Sequence, residues 1–247
     1  MSKPELIILD DASAMETRAA EEIVHVSGEA ICTHGQFSLC LTGGGTPAGV
    51  YSLMATRFHL SVDWKEVHFF WGDERCVSPN HEASNFGMAH RTMLSALQLR
   101  SEQIHRMKGE DPPEKAARHY EDHLKSFFGL DDGEFPRFDL MLLGLGDNAH
   151  IASLFPHHPA LHEGKRLCVP VEVDAPQRHR LTLTSPVINN SARIMFMVCG
   201  ENKADAVRAV LEGPRDIESY PAQLVDPRDG TVTWVLDKAA ASKLSNR

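Results

Sequence analysis

Cysteine is scarce in this chain of 247 residues, and the five present build no framework. Cys32, Cys40, Cys76, Cys168 and Cys199 are odd in number and contain no C-x-x-C pair. That excludes a disulfide scaffold and a structural zinc site, and it fits a reducing compartment. Positive charge is also short: 25 Lys and Arg stand against 34 Asp and Glu, for a net charge of −9. A nucleic-acid partner is therefore not expected, since nothing neutralises a phosphate backbone broadly. No apolar run approaches membrane-spanning length, so no membrane partner is expected either. The N-terminal MSKPELIILDD is too short in apolar residues for a signal peptide, which makes the cytoplasm the expected location. Repeats and low-complexity tracts are missing. Hydrophobic and charged fractions of 42% and 24% are ordinary for a globular α/β core.

What is present is an alternation of two periodicities. Apolar β-type runs occur at 6–9, 37–42, 67–71, 140–143, 180–184, 194–199 and 231–236. Between many of them lie helix-period segments at 13–33, 48–57, 84–96, 113–128 and 203–211. The pattern predicts an α/β fold: a single domain over residues 1–247, with a mostly parallel sheet covered by helices on both faces. Residues 131–138 and 213–221, rich in Asp, Gly and Pro, read as mobile loops.

Polar chemistry concentrates where strands end. Such ends form the carboxyl edge of a parallel sheet, where open α/β sheets bind ligands. After 37–42 come Gly43, Gly44, Gly45, Thr46 and Pro47. Backbone amides freed by glycines, at a helix start, can cradle a phosphate. No Lys-Ser/Thr pair follows, so this is no P-loop, and the G-x-G-x-x-G spacing is absent. A ligand-free βα turn is the plainer alternative. After 67–71 comes Gly72-Asp73-Glu74-Arg75, which can fix a loop by a local ion pair or present a guanidinium to an anion. After 140–143 comes Gly144-Leu145-Gly146-Asp147-Asn148-Ala149-His150. A histidine there can act as a base near neutral pH; a Gly turn with a solvated histidine is the alternative.

Other histidines invite weaker readings. His157, His158 and His162 follow the last loop, but Pro159 and an irregular chain make a convergent metal site a poor expectation, so none is assigned. His105 is expected to pack rather than react. Ser153 lacks a nucleophile elbow and is expected to cap or hydrogen-bond.

Together these segments resemble the family of glucosamine-6-phosphate isomerases and 6-phosphogluconolactonases. The similar residues are 43–47, 71–75 with 84–89, 104–107, 144–156, 180–184, 200–204 and 234–237. Ser153-Leu154-Phe155-Pro156 resembles the lactonase branch, where the isomerase branch carries Phe-Asn-Glu-Pro. The resemblance implies a Rossmann-like, sugar-phosphate isomerase/CoA-transferase-like fold and hydrolysis of 6-phospho-D-glucono-1,5-lactone in the oxidative pentose phosphate pathway. It implies no cofactor and no metal, a sugar-phosphate lactone as partner, and a monomer or small homo-oligomer. His150 becomes the general base, with Asn148, Asp73 and Arg75 around the reacting centre. Gly43, Gly44, Gly45, Thr46, Arg180 and Lys203 become the phosphate site. Arg178 and Arg180 share a face by alternation, so either is a candidate for the inward cation.

The chain departs from the lactonase pattern G-x-G-x-D-G-H-T. Asn148 replaces the aspartate, Ala149 the glycine and Ile151 the threonine, while Asp147 stands one place early. His157 replaces a glycine after Pro156. A working but slower lactonase is expected. An amino-sugar-phosphate isomerase or deaminase, or a sugar-phosphate-binding protein with weakened turnover, are the alternatives.

Overall fold

The computed structural model describes residues 4–245. Met1–Lys3, Asn246 and Arg247, which the sequence reading includes in its single domain, lie outside the described residues.

Five-residue apolar runs become buried strands because a parallel sheet hides both faces. The strands are β1 (Glu5–Leu9), β2 (Phe37–Leu41), β3 (Val67–Trp71), β4 (Asp73–Arg75), β5 (Ile104–His105), β6 (Leu140–Leu143), β7 (Cys168–Glu172), β8 (His179–Leu183), β9 (Arg193–Val198) and β10 (Thr231–Asp237). Seven of them form one sheet in the order β1-β10-β9-β6-β2-β3-β5, and every pairing in it is parallel. The helices are α1 (Ala12–His34), α2 (Gly45–Thr56), α3 (Asn85–Thr92), α4 (Pro113–Phe128), α5 (Ser185–Asn189) and α6 (Ala204–Glu212).

Side-chain alternation divides the core in two. Leu39, Phe69, Trp71, Leu140, Leu142, Met195 and Met197 pack with α1, α2 and α3. Cys40, Phe70, Met141, Leu143, Ile194, Phe196 and Val198 pack on the other side with α4, α5 and α6.

That second side differs from the expectation. The apolar run 180–184 predicts a strand of the mostly parallel sheet, but β8 lies in a separate three-stranded antiparallel sheet, β4-β8-β7. The reason is connection length. Only residues 173–178 join β7 to β8, which suffices for a hairpin and not for a parallel crossover. β7 itself was missed because Pro170 interrupts its apolar run; proline is tolerated there because β7 is an edge strand. The segments read as mobile loops, 131–138 and 213–221, carry neither α-helix nor β-strand.

Two tyrosines finish the central strands at their carboxyl ends. The Tyr51 hydroxyl accepts from the Thr42 amide at 3.0 Å and donates to the Thr42 carbonyl at 2.9 Å. The Tyr120 hydroxyl does the same at Trp71, at 3.1 and 3.2 Å. These bonds satisfy buried backbone groups where the ladder stops, and they fix the points from which the glycine and Asp-Glu-Arg segments leave.

Candidate active site

The loops leaving β2, β3, β6 and β9, together with β8, enclose one cleft. It is lined by Thr42, Gly43, Gly44, Asp73, Arg75, Asn85, Gly144, Leu145, Gly146, His150, Ala152, Arg180 and Lys203. The sequence-predicted His150, Asp73, Arg75, Gly43, Gly44, Arg180 and Lys203 are thus brought together. Gly45 and Thr46 are not among the lining residues. They form the first turn of α2, which begins three residues earlier than the periodicity suggested. Gly44 precedes it with φ 111°, a left-handed conformation that favours glycine. No side chain caps this helix start.

His150 is oriented by Asn148. The Asn148 Oδ1 lies 2.6 Å from His150 Nδ1 and 3.3 Å from the His150 backbone nitrogen. The backbone N–H can only donate, so an oxygen faces it, and the same oxygen must accept from Nδ1–H. The tautomer is thereby set, with the lone pair on Nε2. Burial, then Arg180 and Lys203, push the imidazole down to about 4, so it is neutral at pH 7. Its ring stacks on Phe155, with centroids 4.2 Å apart. The Arg180 guanidinium stands 5.2 Å from the centroid of the same Phe155 ring. Gly146 makes room for this histidine: a Cβ there would fall 1.9 Å from His150 Nδ1.

Asp147 does not reach His150. Its carboxylate pairs with the Lys203 ammonium and accepts from Asn202 Nδ2 at 3.1 Å. Lys203 itself is placed by the turn at Gly200, whose amide donates to the Asp237 carboxylate at the end of β10.

The Asp-Glu-Arg triplet makes no internal ion pair. Glu74 is buried and accepts from the amides of Arg75, Asn85 and Phe86 and from the Ser84 hydroxyl. It thereby organises the start of α3. Arg75 donates to the Ala83 carbonyl at 2.7 Å. Its Nε is one of two buried side-chain N or O atoms left without a partner among the described residues. Asp73 was expected to orient Arg75 or a substrate hydroxyl. It accepts from Ser153 Oγ at 2.7 Å and from Asn85 Nδ2 at 3.1 Å, so these two residues and not Arg75 hold it in the cleft.

Alternation left Arg178 and Arg180 equivalent; the structure separates them. Arg180 is buried in the cleft, and burial with the nearby Arg75 holds its guanidinium below its ordinary value. Arg178 precedes β8 and pairs with Glu172 at the surface.

The histidines after the loop turn to separate partners. His158 accepts from the Ala160 amide, and His162 pairs with Glu218. Among the described residues no cluster of three or more His, Cys, Asp or Glu stands ready to hold a metal ion, and no helix is long and apolar enough to cross a membrane.

Sequence reasoning missed Asn85, Phe155 and the Ser153–Asp73 bond as parts of the site. Asn85 carried no local signal; its place shows only in the fold, where a Cβ on Gly43 would fall 1.9 Å from Asn85 Oδ1.

The family model of glucosamine-6-phosphate isomerases/6-phosphogluconolactonase matches residues 10–234. The chain belongs to this family. It is 39% identical to a 6-phosphogluconolactonase of Nostoc sp. over 96% of this chain and 97% of that one. A 6-phosphogluconolactonase of Synechocystis sp. is 38% identical, covering 98% of each. The solved 6-phosphogluconolactonase from Trypanosoma cruzi superposes with a TM-score of 0.88 at 27% identity, over 99% of this chain and 98% of that one. Family and fold class agree with the resemblance seen in the sequence.

Proposed function

We propose that this cleft hydrolyses 6-phospho-D-glucono-1,5-lactone to 6-phosphogluconate without a cofactor, in one domain over residues 1–247. The observation that carries the reading is the fixed His150 tautomer, its Nε2 lone pair available in a cleft that also holds three cations. Water attacks the lactone carbonyl while His150 Nε2 takes its proton. The tetrahedral intermediate collapses, the ring C–O bond breaks, and the imidazolium returns the proton to the departing ring oxygen. Arg75, with a buried N–H still unpaired, supplies charge to the developing oxyanion. Asp73, held by Ser153 and Asn85, accepts from a substrate hydroxyl. Arg180, Lys203 and the Gly43–Gly44 backbone bind the phosphate, far from the reacting carbon, and so orient the ring.

Five unpaired cysteines, two of them fully buried, support a reducing compartment, and we place the enzyme in the cytoplasm.

The test is lactone hydrolysis by the purified protein, measured above the spontaneous background at slightly acidic pH. Arg180→Ala and Lys203→Ala should each weaken substrate by about 1.5–3 kcal/mol, the worth of a charge-assisted contact. Unphosphorylated gluconolactone should be a much poorer substrate. Equal efficiency on both lactones would remove the phosphate site. Ammonia release from glucosamine 6-phosphate would point to the deaminase branch instead.

A further inference from the structure

Lys203 is already occupied in the free enzyme. Its side chain, 23% exposed at the cleft wall, pairs its ammonium with the carboxylate of Asp147, whose side chain is 68% exposed. Asn202 donates to the same Asp147 oxygen. Lys203 occupies the N-cap position of α6 without a side-chain cap bond, where the helix dipole disfavours a cation. An anion there is favoured, and Asp147 supplies it from within the chain. Asp147 does not hydrogen-bond the histidine: Asn148 alone bonds His150 Nδ1, and the Asp147 charge reaches the ring only through space.

Lactone opening changes the ligand's charge. The substrate carries the phosphate dianion; the product carries the same phosphate and a new carboxylate. A cleft with Arg75, Arg180 and Lys203 attracts the product more strongly than the substrate. A resident carboxylate on one of those cations opposes that retention. Because Asp147 is largely in water, the pair breaks and re-forms cheaply.

We propose that Asp147 is a resident competitor for Lys203: it gives up the ammonium when phosphate enters and reclaims it as 6-phosphogluconate leaves. Asp147 thereby sets the enzyme's hold on phosphorylated ligands, and it touches neither the reacting carbonyl nor His150. The inference rests on Lys203 being a phosphate ligand, as argued above.

The experiment is calorimetric titration with 6-phosphogluconate of the wild type, Asp147→Asn, Lys203→Met and the double variant. Asp147→Asn changes only an exposed, near-isosteric side chain, so the fold is retained. The expected result is product binding about three- to five-fold tighter in Asp147→Asn, matched by stronger product inhibition, while turnover of unphosphorylated gluconolactone does not rise, since loss of a carboxylate near His150 can only weaken that imidazole as a base. In the Lys203→Met background the same change should tighten nothing. Unchanged or weaker product binding in Asp147→Asn overturns the proposal, as does equal tightening in the double variant, which would show a general charge effect. If Lys203→Met alone leaves product binding intact, the phosphate role of Lys203 fails, and that failure is separate.

Discussion

His150 gains its chemistry from one uncharged neighbour. Asn148 fixes the tautomer through a 2.6 Å bond but adds no charge to support an imidazolium. Burial, Arg180 and Lys203 meanwhile hold the ring down to about 4. Such an imidazole is neutral at every physiological pH, and in the proposed role of base it is weak. An aspartate in the same place keeps the bond and adds a negative charge beside Nδ1, which raises the histidine. Asn148→Asp should therefore raise kcat on the order of tenfold with little change in KM, because a stronger base is still deprotonated near pH 7. The acid limb of kcat/KM should move upward with it. In the wild type that limb should lie well below the 6.5 of a free imidazole. Steady-state kinetics of both proteins from pH 4 to 8 check this. An unchanged kcat together with an unmoved limb would show that Asn148 already does all that an aspartate could.

The loop from Gly144 to His157 holds a backbone shape that its sequence only partly suits. Ala149, Ala152 and His157 all have positive φ, at 60°, 46° and 59°. Two of them, Ala149 and His157, are the positions where the lactonase pattern has glycine. A left-handed conformation costs an L-residue roughly 1–2 kcal/mol, and glycine's extra freedom in the unfolded chain gives part of that back. His157→Gly should stabilise the protein by about 0.5–1 kcal/mol, a rise of a few degrees in Tm at most. A lower Tm in a thermal melt would mean that the His157 side chain contributes packing that outweighs the strain.

The same loop shows what the sequence makes legible. Gly-rich strand ends mark their own place at the carboxyl edge, so the cleft and its Gly43, Gly44, Asp73, Arg75 and His150 are legible from local pattern, while Arg180 and Lys203 enter through the family resemblance. Asn85 and Phe155 were not, because their roles come from elements far apart in sequence meeting there. Asn85 opens α3 and bonds Asp73 at the start of β4; Phe155 lies beside both a loop histidine and a β8 arginine. β8 read correctly as a strand, but nothing local said that its partners would be antiparallel.

Across the molecule, histidine chemistry ties stability to pH. His68 on β3, His105 on β5 and His123 on α4 form a row, buried at His105 and half-buried at its ends, with Nδ1 to Nε2 distances of 3.0 and 2.6 Å. Burial, then His123 and His68, push His105 down to about 3; burial lowers His68 and His123 too. Above about pH 6.5 these imidazoles are neutral in both the folded and the unfolded chain, and the fold keeps its full stability. Below that, the unfolded chain binds protons that the folded one excludes, so stability falls progressively toward the folded values. Tm should drop between pH 7 and pH 5, and His105→Gln should flatten the slope. Equal Tm at both pH values would contradict the buried, neutral assignment.

The account stands or falls on His150 as the base in a lactone-opening cleft. Its most direct test compares the initial rate of 6-phosphogluconolactone hydrolysis by wild type and His150→Ala, each corrected for the spontaneous reaction, with circular dichroism confirming that both are folded. The account predicts catalysis by the wild type well above background and a loss on the order of 10²–10⁴-fold in the alanine variant. A folded His150→Ala protein that keeps the wild-type rate would contradict it.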